Sequence, residues 1–289
     1  MEPVLPPLPR LRRLLVSLLS LILAASVLSA CSTTDALEIA QPQAEPSKYA
    51  AIVVDARSGK VLYSEAADQI RYPASLAKMM TLYLLFEALQ SRRLSLNSQI
   101  PVSANAARQP ASKLYLKEGT TIDVDTAIRA LVVKSANDVA TAVAEHLAGN
   151  EAQFARRMTA RARTLGMGRT VFTNASGLPD PAMRTTARDM SKLSLALRRD
   201  FPQYYSYFKL VSFEYRGKTI RGHNKILGMV SGADGIKTGY IRASGYNLAA
   251  SVRRNGRSIV AVVMGGKSGS ARDAHMAQLL TATFNRSIR

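Results

Sequence analysis

The sequence predicts an α+β fold in which a helical subdomain is inserted into a sheet. Apolar and β-branched runs typical of strands occur near residue 50 and again after residue 207, whereas the part between them has mainly helical periodicity. The chain has 289 residues, 47% apolar and 20% charged, so it has room for one large domain or two subdomains. The pattern does not give the strand order.

Residues 1–31 are predicted to be an export signal that precedes the fold. A basic region is followed by an apolar run at residues 14–28 and then by small residues. The run is short for a transmembrane helix, which needs about 20 apolar residues. The residues of the basic region are Arg10, Arg12 and Arg13.

The chain has a single cysteine, Cys31, and it directly follows this signal. The string Leu28-Ser29-Ala30-Cys31 resembles the bacterial lipoprotein cleavage box, in which the cysteine becomes the lipidated N-terminus. The resemblance implies a membrane anchor through a lipid on Cys31, and the alternative is ordinary secretion with cleavage near Ala30. A lone cysteine also excludes an internal disulfide and a cysteine-rich metal site.

Residues 32–48 are predicted to be a flexible tether, and residues 49–289 a folded domain. The tether is rich in Ser, Thr, Gln and Pro. Two short strands at residues 50–55 and 61–63 follow, joined by a turn containing Gly59, which indicates a hairpin.

The remaining elements are predicted mostly from apolar periodicity. Residues 75–89 are apolar nearly all round, which is typical of a helix in the interior. Residues 124–147 predict two helices that meet near Ser135. The other predictions are helices at residues 151–165, 186–197 and 273–284, a loop at 172–179, and strands at 208–215, 235–238, 246–252 and 259–264.

Three short motifs occur in the order expected of a serine acyl-transfer enzyme with a lysine base. They are Ser75-Leu76-Ala77-Lys78, Ser135-Ala136-Asn137 and Lys237-Thr238-Gly239. The first motif has a competitor, since Ser206-Tyr207-Phe208-Lys209 has the same spacing.

Ser75 is preferred because it opens a buried helix, where residues i and i+3 share a face and Lys78 can reach the serine oxygen. Ser206 precedes a predicted strand, in which residues i and i+3 point to opposite faces. The alternative role for Ser75 is that of a plain helix N-cap.

Lys78 is the predicted base, because a serine hydroxyl is a poor nucleophile near neutral pH without one. The amine must be neutral to act, and both burial and a nearby cation such as Lys237 would lower its pKa. A histidine base is poorly supported: the three histidines are scattered and no Gly-x-Ser-x-Gly string occurs.

The other two motifs predict groups that handle the substrate. Ser135 can relay a proton to a leaving amine and Asn137 can bind the substrate amide, or the pair is only a turn with an Asn cap. Lys237 and Thr238 can bind a carboxylate, and Gly239 lets a peptide approach the strand closely.

An oxyanion hole is predicted from two backbone N–H groups, those of Ser75 and Tyr240. The alternative for the strand motif is an ordinary edge-strand lysine. This chemistry calls for no cofactor and no metal ion.

With these motifs in place, the chain resembles the serine D-alanyl-D-alanine carboxypeptidases, which are low-molecular-mass penicillin-binding proteins. The resemblance covers residues 49–284. Besides the three motifs it includes Phe172-Thr173-Asn174-Ala175-Ser176-Gly177-Leu178, Thr186-Ala187-Arg188-Asp189-Met190, and Met264-Gly265-Gly266 with Arg272 beyond.

The resemblance implies a serine β-lactamase/transpeptidase-like fold, with an antiparallel sheet flanked by helices. It implies removal of the terminal D-Ala from peptidoglycan stem pentapeptides through an acyl-enzyme on Ser75, with β-lactam antibiotics as inhibitors that trap this serine. It also implies that Arg272 lies beside Lys237 and reads the substrate carboxylate; the alternative is a surface arginine that opens the last helix. The expected location is the periplasm or cell envelope.

Two departures from the family pattern stand out. Tyr240 follows Lys-Thr-Gly where several relatives have His. Some relatives continue into a C-terminal β-domain and a membrane-binding amphipathic helix, whereas this sequence stops at Arg289, so we expect any anchor at the N-terminus.

Other function classes are weighed against this one. A DD-endopeptidase or a β-lactamase is the alternative enzyme, but the Glu-x-x-Leu-Asn string of class A β-lactamases does not occur. A non-catalytic wall-binding lipoprotein is the alternative of a different class, and it predicts a broken Ser75 or Lys78. The formal net charge is +19, but the charges do not cluster and no nucleic-acid module appears, so no nucleic-acid partner is expected.

Overall fold

A computed structural model describes residues 47–286 of the chain. Its strands are β1 (Ala50–Asp55), β2 (Val61–Glu65), β3 (Gln99–Pro101), β4 (Thr121–Asp123), β5 (Ser212–Tyr215), β6 (Lys218–Arg221), β7 (Ala233–Ile241), β8 (Gly245–Arg254) and β9 (Arg257–Gly266). Five of them form an antiparallel sheet in the order β2-β1-β9-β8-β7. The strand that carries Lys237 is therefore an edge strand of this sheet.

The helices lie mainly between β2 and β7 in the sequence. They are α1 (Lys78–Gln90), α2 (Ala104–Arg108), α3 (Val124–Arg129), α4 (Asn137–Ala148), α5 (Glu151–Thr164), α6 (Ala187–Asp200), α7 (Ile226–Met229) and α8 (Gly269–Arg286). The described residues also include two 3-10 turns, at Ala74–Ala77 and Tyr205–Lys209, and one π turn at Ala130–Lys134.

The sheet separates two layers of core, as the alternation of side chains along each strand requires. Ile52 faces the helices of the inserted segment, among them α1 and α4. Its neighbours Ala51 and Val53 face the other way and pack with Met276 and Leu279 of α8. The buried side chains of α1 belong to the same core layer as Ile52. The turn that precedes the N-terminus of α1 lies against β7.

The predicted fold class is confirmed: an antiparallel sheet with helices on both faces and a helical segment between its strands. The predicted hairpin is β1–β2, and the two helices that meet near Ser135 are α3, extended by the π turn, and α4. The predictions at residues 151–165, 186–197 and 273–284 correspond to α5, α6 and α8.

The strand predicted at residues 208–215 is wrong in its first half. Tyr205–Lys209 is a 3-10 turn, because the Tyr204 and Phe208 rings both pack against Phe86 instead of alternating across a sheet. The strand is confined to Ser212–Tyr215 and pairs with β6, outside the main sheet.

The predicted export signal at residues 1–31, with Cys31, and residues 32–46 of the predicted tether lie outside the described residues. Tyr49, predicted to begin the folded domain, is buried and leads into β1. Within residues 47–286, no helix is both long and apolar enough to cross a membrane.

Candidate active site

Ser75 and Lys78 meet at the turn that leads into α1. Ser75 lies in the Ala74–Ala77 3-10 turn, and Lys78 is the first residue of α1. The prediction of a single helix over residues 75–89 is therefore wrong at its start, where a 3-10 turn precedes the α-helix. Side chains at i and i+3 eclipse each other in a 3-10 turn. The Lys78 Nζ accordingly lies 3.2 Å from the Ser75 Oγ.

The surroundings of the Lys78 amine fix the direction of its lone pair. Nζ donates to the Asn137 Oδ1 at 2.7 Å and to the Ser176 carbonyl oxygen at 2.6 Å. The Asn137 orientation is set in turn, because its Nδ2 donates to the Pro110 carbonyl at 2.9 Å. A neutral amine has two N–H groups, and both are used by these acceptors. Its lone pair then points at Ser75 and can accept the hydroxyl proton.

Burial makes the neutral form of Lys78 accessible. The side chain is fully buried, and its pKa is lowered well below the ordinary value, first by desolvation and then by the charge of Lys237. Asp138 and Glu151 act in the opposite direction but do not cancel these effects. Both causes expected from the sequence, burial and a second cation, are present.

Ser135 reaches the cavity from the junction of α3 and α4. The π turn ends at Ser135, which has φ 60° and ψ 40°, and α4 begins two residues later with Asn137. This left-handed residue turns the chain so that both side chains line one cavity. The Ser135 Oγ is buried and makes no hydrogen bond within the described part of the chain, so it is available to a bound molecule.

Lys237, Thr238 and Gly239 approach Ser75 from the edge strand β7. Lys237 is buried and donates to the Thr238 carbonyl oxygen at 2.8 Å, and desolvation together with the charge of Arg272 lowers its pKa to about 7. Gly239 has a use that the sequence did not reveal: a Cβ there would lie 3.0 Å from the Ser75 nitrogen. The glycine lets the strand pack against the nucleophile turn itself.

Arg272 is buried in the first turn of α8, so the alternative of a surface arginine is wrong. Its Nε and Nη2 donate to the Asp273 Oδ1 at 3.0 and 2.7 Å, and its Nη1 donates to the Asn247 carbonyl at 3.3 Å. A guanidinium has five N–H groups, so one on each terminal nitrogen is left over. Those two can bind a carboxylate in bidentate fashion.

The predicted site residues converge on one cavity of about 510 Å³. Those lining it are Ser75, Ser135, Asn137, Thr238, Gly239, Tyr240 and Arg272, and the buried amines of Lys78 and Lys237 lie behind this lining. Ser206 and Lys209 are exposed and do not line it. Both lie in the 3-10 turn that precedes β5, where residues i and i+3 fall on the same side, so the prediction that their side chains point to opposite faces is wrong.

A family model described as D-alanyl-D-alanine carboxypeptidase matches residues 37–268. The chain belongs to this family. It is 34% identical over 250 residues to the D-alanyl-D-alanine carboxypeptidase DacA of Escherichia coli K12. The aligned region covers 84% of this chain and 62% of that relative. The chain thus spans less than two thirds of the length of this relative.

Solved structures share the fold of this carboxypeptidase family member. Penicillin binding protein 5 from Haemophilus influenzae has a TM-score of 0.80 and 31% identity, covering 85% of this chain and 72% of that one. The ampicillin-bound form of penicillin-binding protein D2 from Listeria monocytogenes has a TM-score of 0.76 and 29% identity, and the match covers 82% of this chain and 98% of that one. The fold is therefore the serine β-lactamase/transpeptidase-like fold.

Two residues that hold the carboxypeptidase-family site together were not predicted. The Asn247 Nδ2 donates to the carbonyls of Tyr72 and Pro73, at 3.0 and 3.2 Å, and so fixes the segment before Ser75. Gly177 has φ +80°, and a Cβ there would meet the Ala74 oxygen at 1.8 Å. An asparagine inside an apolar strand was the available signal for the first, and turn chemistry for the second.

Proposed function

We propose that the chain is a serine-type D-Ala-D-Ala carboxypeptidase with residues 49–289 as its catalytic domain. It removes the terminal D-Ala of peptidoglycan stem pentapeptides through an acyl-enzyme on Ser75. The observation that carries the proposal is the Lys78 amine, which lies 3.2 Å from the Ser75 Oγ and donates to Asn137 and to the Ser176 carbonyl oxygen. When the amine is neutral, its two N–H groups can stay on those acceptors while its lone pair faces the serine hydroxyl.

Acylation follows from this arrangement. Lys78 takes the hydroxyl proton as the Ser75 Oγ bonds to the carbonyl carbon of the penultimate D-Ala, while the N–H groups of Ser75 and Tyr240 bind the oxygen that becomes negative. The C–N bond to the terminal D-Ala then breaks, and Ser135 gives its hydroxyl proton to the departing amine while it takes up the proton held by Lys78, which returns to the neutral form. Water hydrolyses the ester in the second half of the reaction and regenerates the serine.

The cationic end of the cavity supports carboxypeptidase over endopeptidase activity. A carboxypeptidase must recognise a free terminal carboxylate. Lys237, Thr238 and the two remaining N–H groups of Arg272 supply that recognition. Asn137 is left to bind the substrate amide. A non-catalytic wall-binding protein would have no use for a buried lysine with a lowered pKa beside a serine.

Penicillin sensitivity follows from the same chemistry, since a β-lactam carries a reactive amide beside a carboxylate. The related Listeria protein was solved with ampicillin bound. Because the Glu-x-x-Leu-Asn string of class A β-lactamases is absent, we expect the penicilloyl ester to persist for minutes or longer.

The proposed location is the cell envelope, reached through an export signal at residues 1–31 and held at the membrane by a lipid on Cys31. The string Leu28-Ser29-Ala30-Cys31 supports the anchor. Cys31→Ala should shift the protein from the membrane fraction to the soluble periplasm and remove lipid labelling. Unchanged fractionation without lipid on the wild type would leave plain secretion.

Mass spectrometry tests the activity directly. Incubated with penicillin, the protein should gain one penicilloyl group on Ser75, and incubated with a pentapeptide it should release D-Ala and leave a tetrapeptide. Acylation without D-Ala release would contradict carboxypeptidase activity, and rapid turnover of a chromogenic cephalosporin would favour a β-lactamase.

Arg272→Ala separates carboxypeptidase from endopeptidase. Charge-assisted hydrogen bonds contribute about 1.5–3 kcal/mol each, so kcat/KM on a peptide with a free terminus should fall about 10- to 150-fold. The loss on the C-terminally amidated peptide should be much smaller. Comparing the two peptides in one preparation corrects for any instability caused by leaving Asp273 buried without its partner. Equal losses on both peptides would mean that Arg272 does not read the terminus.

A further inference from the structure

Two tyrosine rings lie beside the cavity, on the same face of the sheet as Thr238. Side chains alternate along β7, so Thr238 and Tyr240 share one face while Gly239 belongs to the other. Across the sheet, Tyr240 is directly opposite Tyr246, and Thr238 is opposite Leu248. Leu248 packs with α8 in the second core layer. Both tyrosines therefore belong to the face that α8 covers.

The helix leaves Tyr240 exposed, whereas Tyr246 beside it is half-buried. The ring centroids are 4.3 Å apart at an interplanar angle of 32°, and Tyr240 is 51% exposed. A Cβ placed on Gly269, the first residue of α8, would lie 3.8 Å from the Tyr246 ring and 3.9 Å from the Arg272 guanidinium. The rings and the guanidinium thus border the same part of the cavity.

The position of the rings determines which part of a substrate they meet. Thr238 and Arg272 are the groups proposed above for the terminal carboxylate. The side chain of the terminal residue is attached to the same Cα as that carboxylate, so it lies within reach of the rings. The methyl group of D-Ala covers little of this apolar surface, whereas a large apolar or aromatic side chain covers more and gains contact area.

We infer that the Tyr240–Tyr246 pair is a specificity determinant on the leaving-group side of the cleft. It favours terminal D-amino acids with aromatic or large apolar side chains, of which D-Phe is the test case, in addition to D-Ala. The inference rests on the proposed carboxypeptidase function. It concerns the ring of Tyr240, whose backbone N–H has the separate role already proposed.

The test uses two peptides that differ only in ending D-Ala-D-Ala or D-Ala-D-Phe. The released amino acid is measured by chromatography, and the readout is the ratio of kcat/KM for D-Phe release to that for D-Ala release. Tyr240→Ser and Tyr246→Ser should each lower this ratio about 3- to 10-fold. Tyr240→Phe retains the ring and should preserve it. Tyr115→Ser is the matched control, since Tyr115 is 68% exposed but outside the cavity lining.

Each outcome decides the matter. An unchanged ratio in both serine variants overturns the inference, and so does a raised ratio, which would mean that the rings exclude bulky residues. Release of D-Ala but not of D-Phe by the wild type overturns it as well. A wild type that penicillin acylates but that releases neither amino acid contradicts the proposed function instead. The ratio is internal to each preparation, so a partly unfolded variant does not alter it.

Discussion

The chain contains two Ser-x-x-Lys strings whose local structures are alike and whose surroundings are not. Ser75 with Lys78, and Ser206 with Lys209, both lie at 3-10 turns, which bring residues i and i+3 to the same side. Lys78 is fully buried, whereas Ser206 and Lys209 are exposed. Neither the string nor its backbone conformation therefore makes a nucleophile. The difference lies in what packs around the turn.

The residues that pack around the Ala74–Ala77 turn come from segments distant in the sequence. Asn137 and Ser176 bind the Lys78 amine, Gly239 allows β7 to lie against the Ser75 backbone, and Asn247 holds the segment just before it. Desolvation by this packing is the main reason that the pKa of Lys78 is lowered. In the second turn the side chains of Ser206 and Lys209 lie in solvent, and no such packing covers them.

The comparison is tested most strongly by removing each serine. Ser75→Ala should abolish labelling by fluorescent penicillin, because Ser75 carries the hydroxyl that lies 3.2 Å from the buried Lys78 amine. Ser206→Ala should label like the wild type. Labelling that survives Ser75→Ala in protein with a normal thermal unfolding transition would disprove the assignment of the nucleophile.

Replacing each lysine sharpens the same contrast. Lys78→Met should slow acylation by penicillin about 10²- to 10⁴-fold, the usual contribution of a general base. Lys209→Met should leave the acylation rate unchanged. Stopped-flow or gel-based acylation rates measure both variants, and circular dichroism checks that each is folded. Comparable losses in the two variants would show that burial does not distinguish the lysines.

The sequence predicted which residues form this site better than it predicted the backbone conformation and packing that position them. Ser75, Ser135, Asn137, Thr238, Gly239 and Arg272 were all named from the sequence and line the cavity, because residue type carries the chemistry whatever the backbone does. The 3-10 geometry at Ser75 and Ser206 was not predicted, since these turns depend on aromatic and backbone packing against elements remote in sequence. For the same reason the close approach of Gly239 to Ser75 was invisible in the sequence, although the glycine itself was noted.

A methyl group on Gly239 tests whether the packing of β7 matters to the chemistry. The added Cβ would lie 3.0 Å from the Ser75 nitrogen and 3.1 Å from the Leu76 nitrogen, and no flexible side chain is there to move aside. Gly239→Ala should therefore displace the turn and slow acylation about 10- to 100-fold. Gly168→Ala is the control, since its Cβ would meet nothing within 4 Å. Equal rates for Gly239→Ala and the wild type would mean that the strand does not position the nucleophile.

The pH profile gives the smallest effect, at most tenfold per pH unit, and it reports on the two buried lysines. As the proposed base, Lys78 must be neutral, and its pKa is lowered, so kcat/KM should fall as the pH drops through that pKa.

As the proposed carboxylate-binding group, Lys237 must be charged, and desolvation together with the charge of Arg272 lowers its pKa to about 7. Recognition of a carboxylate should therefore weaken as the pH rises above about 7. A peptide with a free C-terminus should show both limbs, whereas its amide should keep the acid limb and lose the alkaline one. An alkaline limb of equal steepness on both peptides would show that Lys237 does not act by binding the carboxylate.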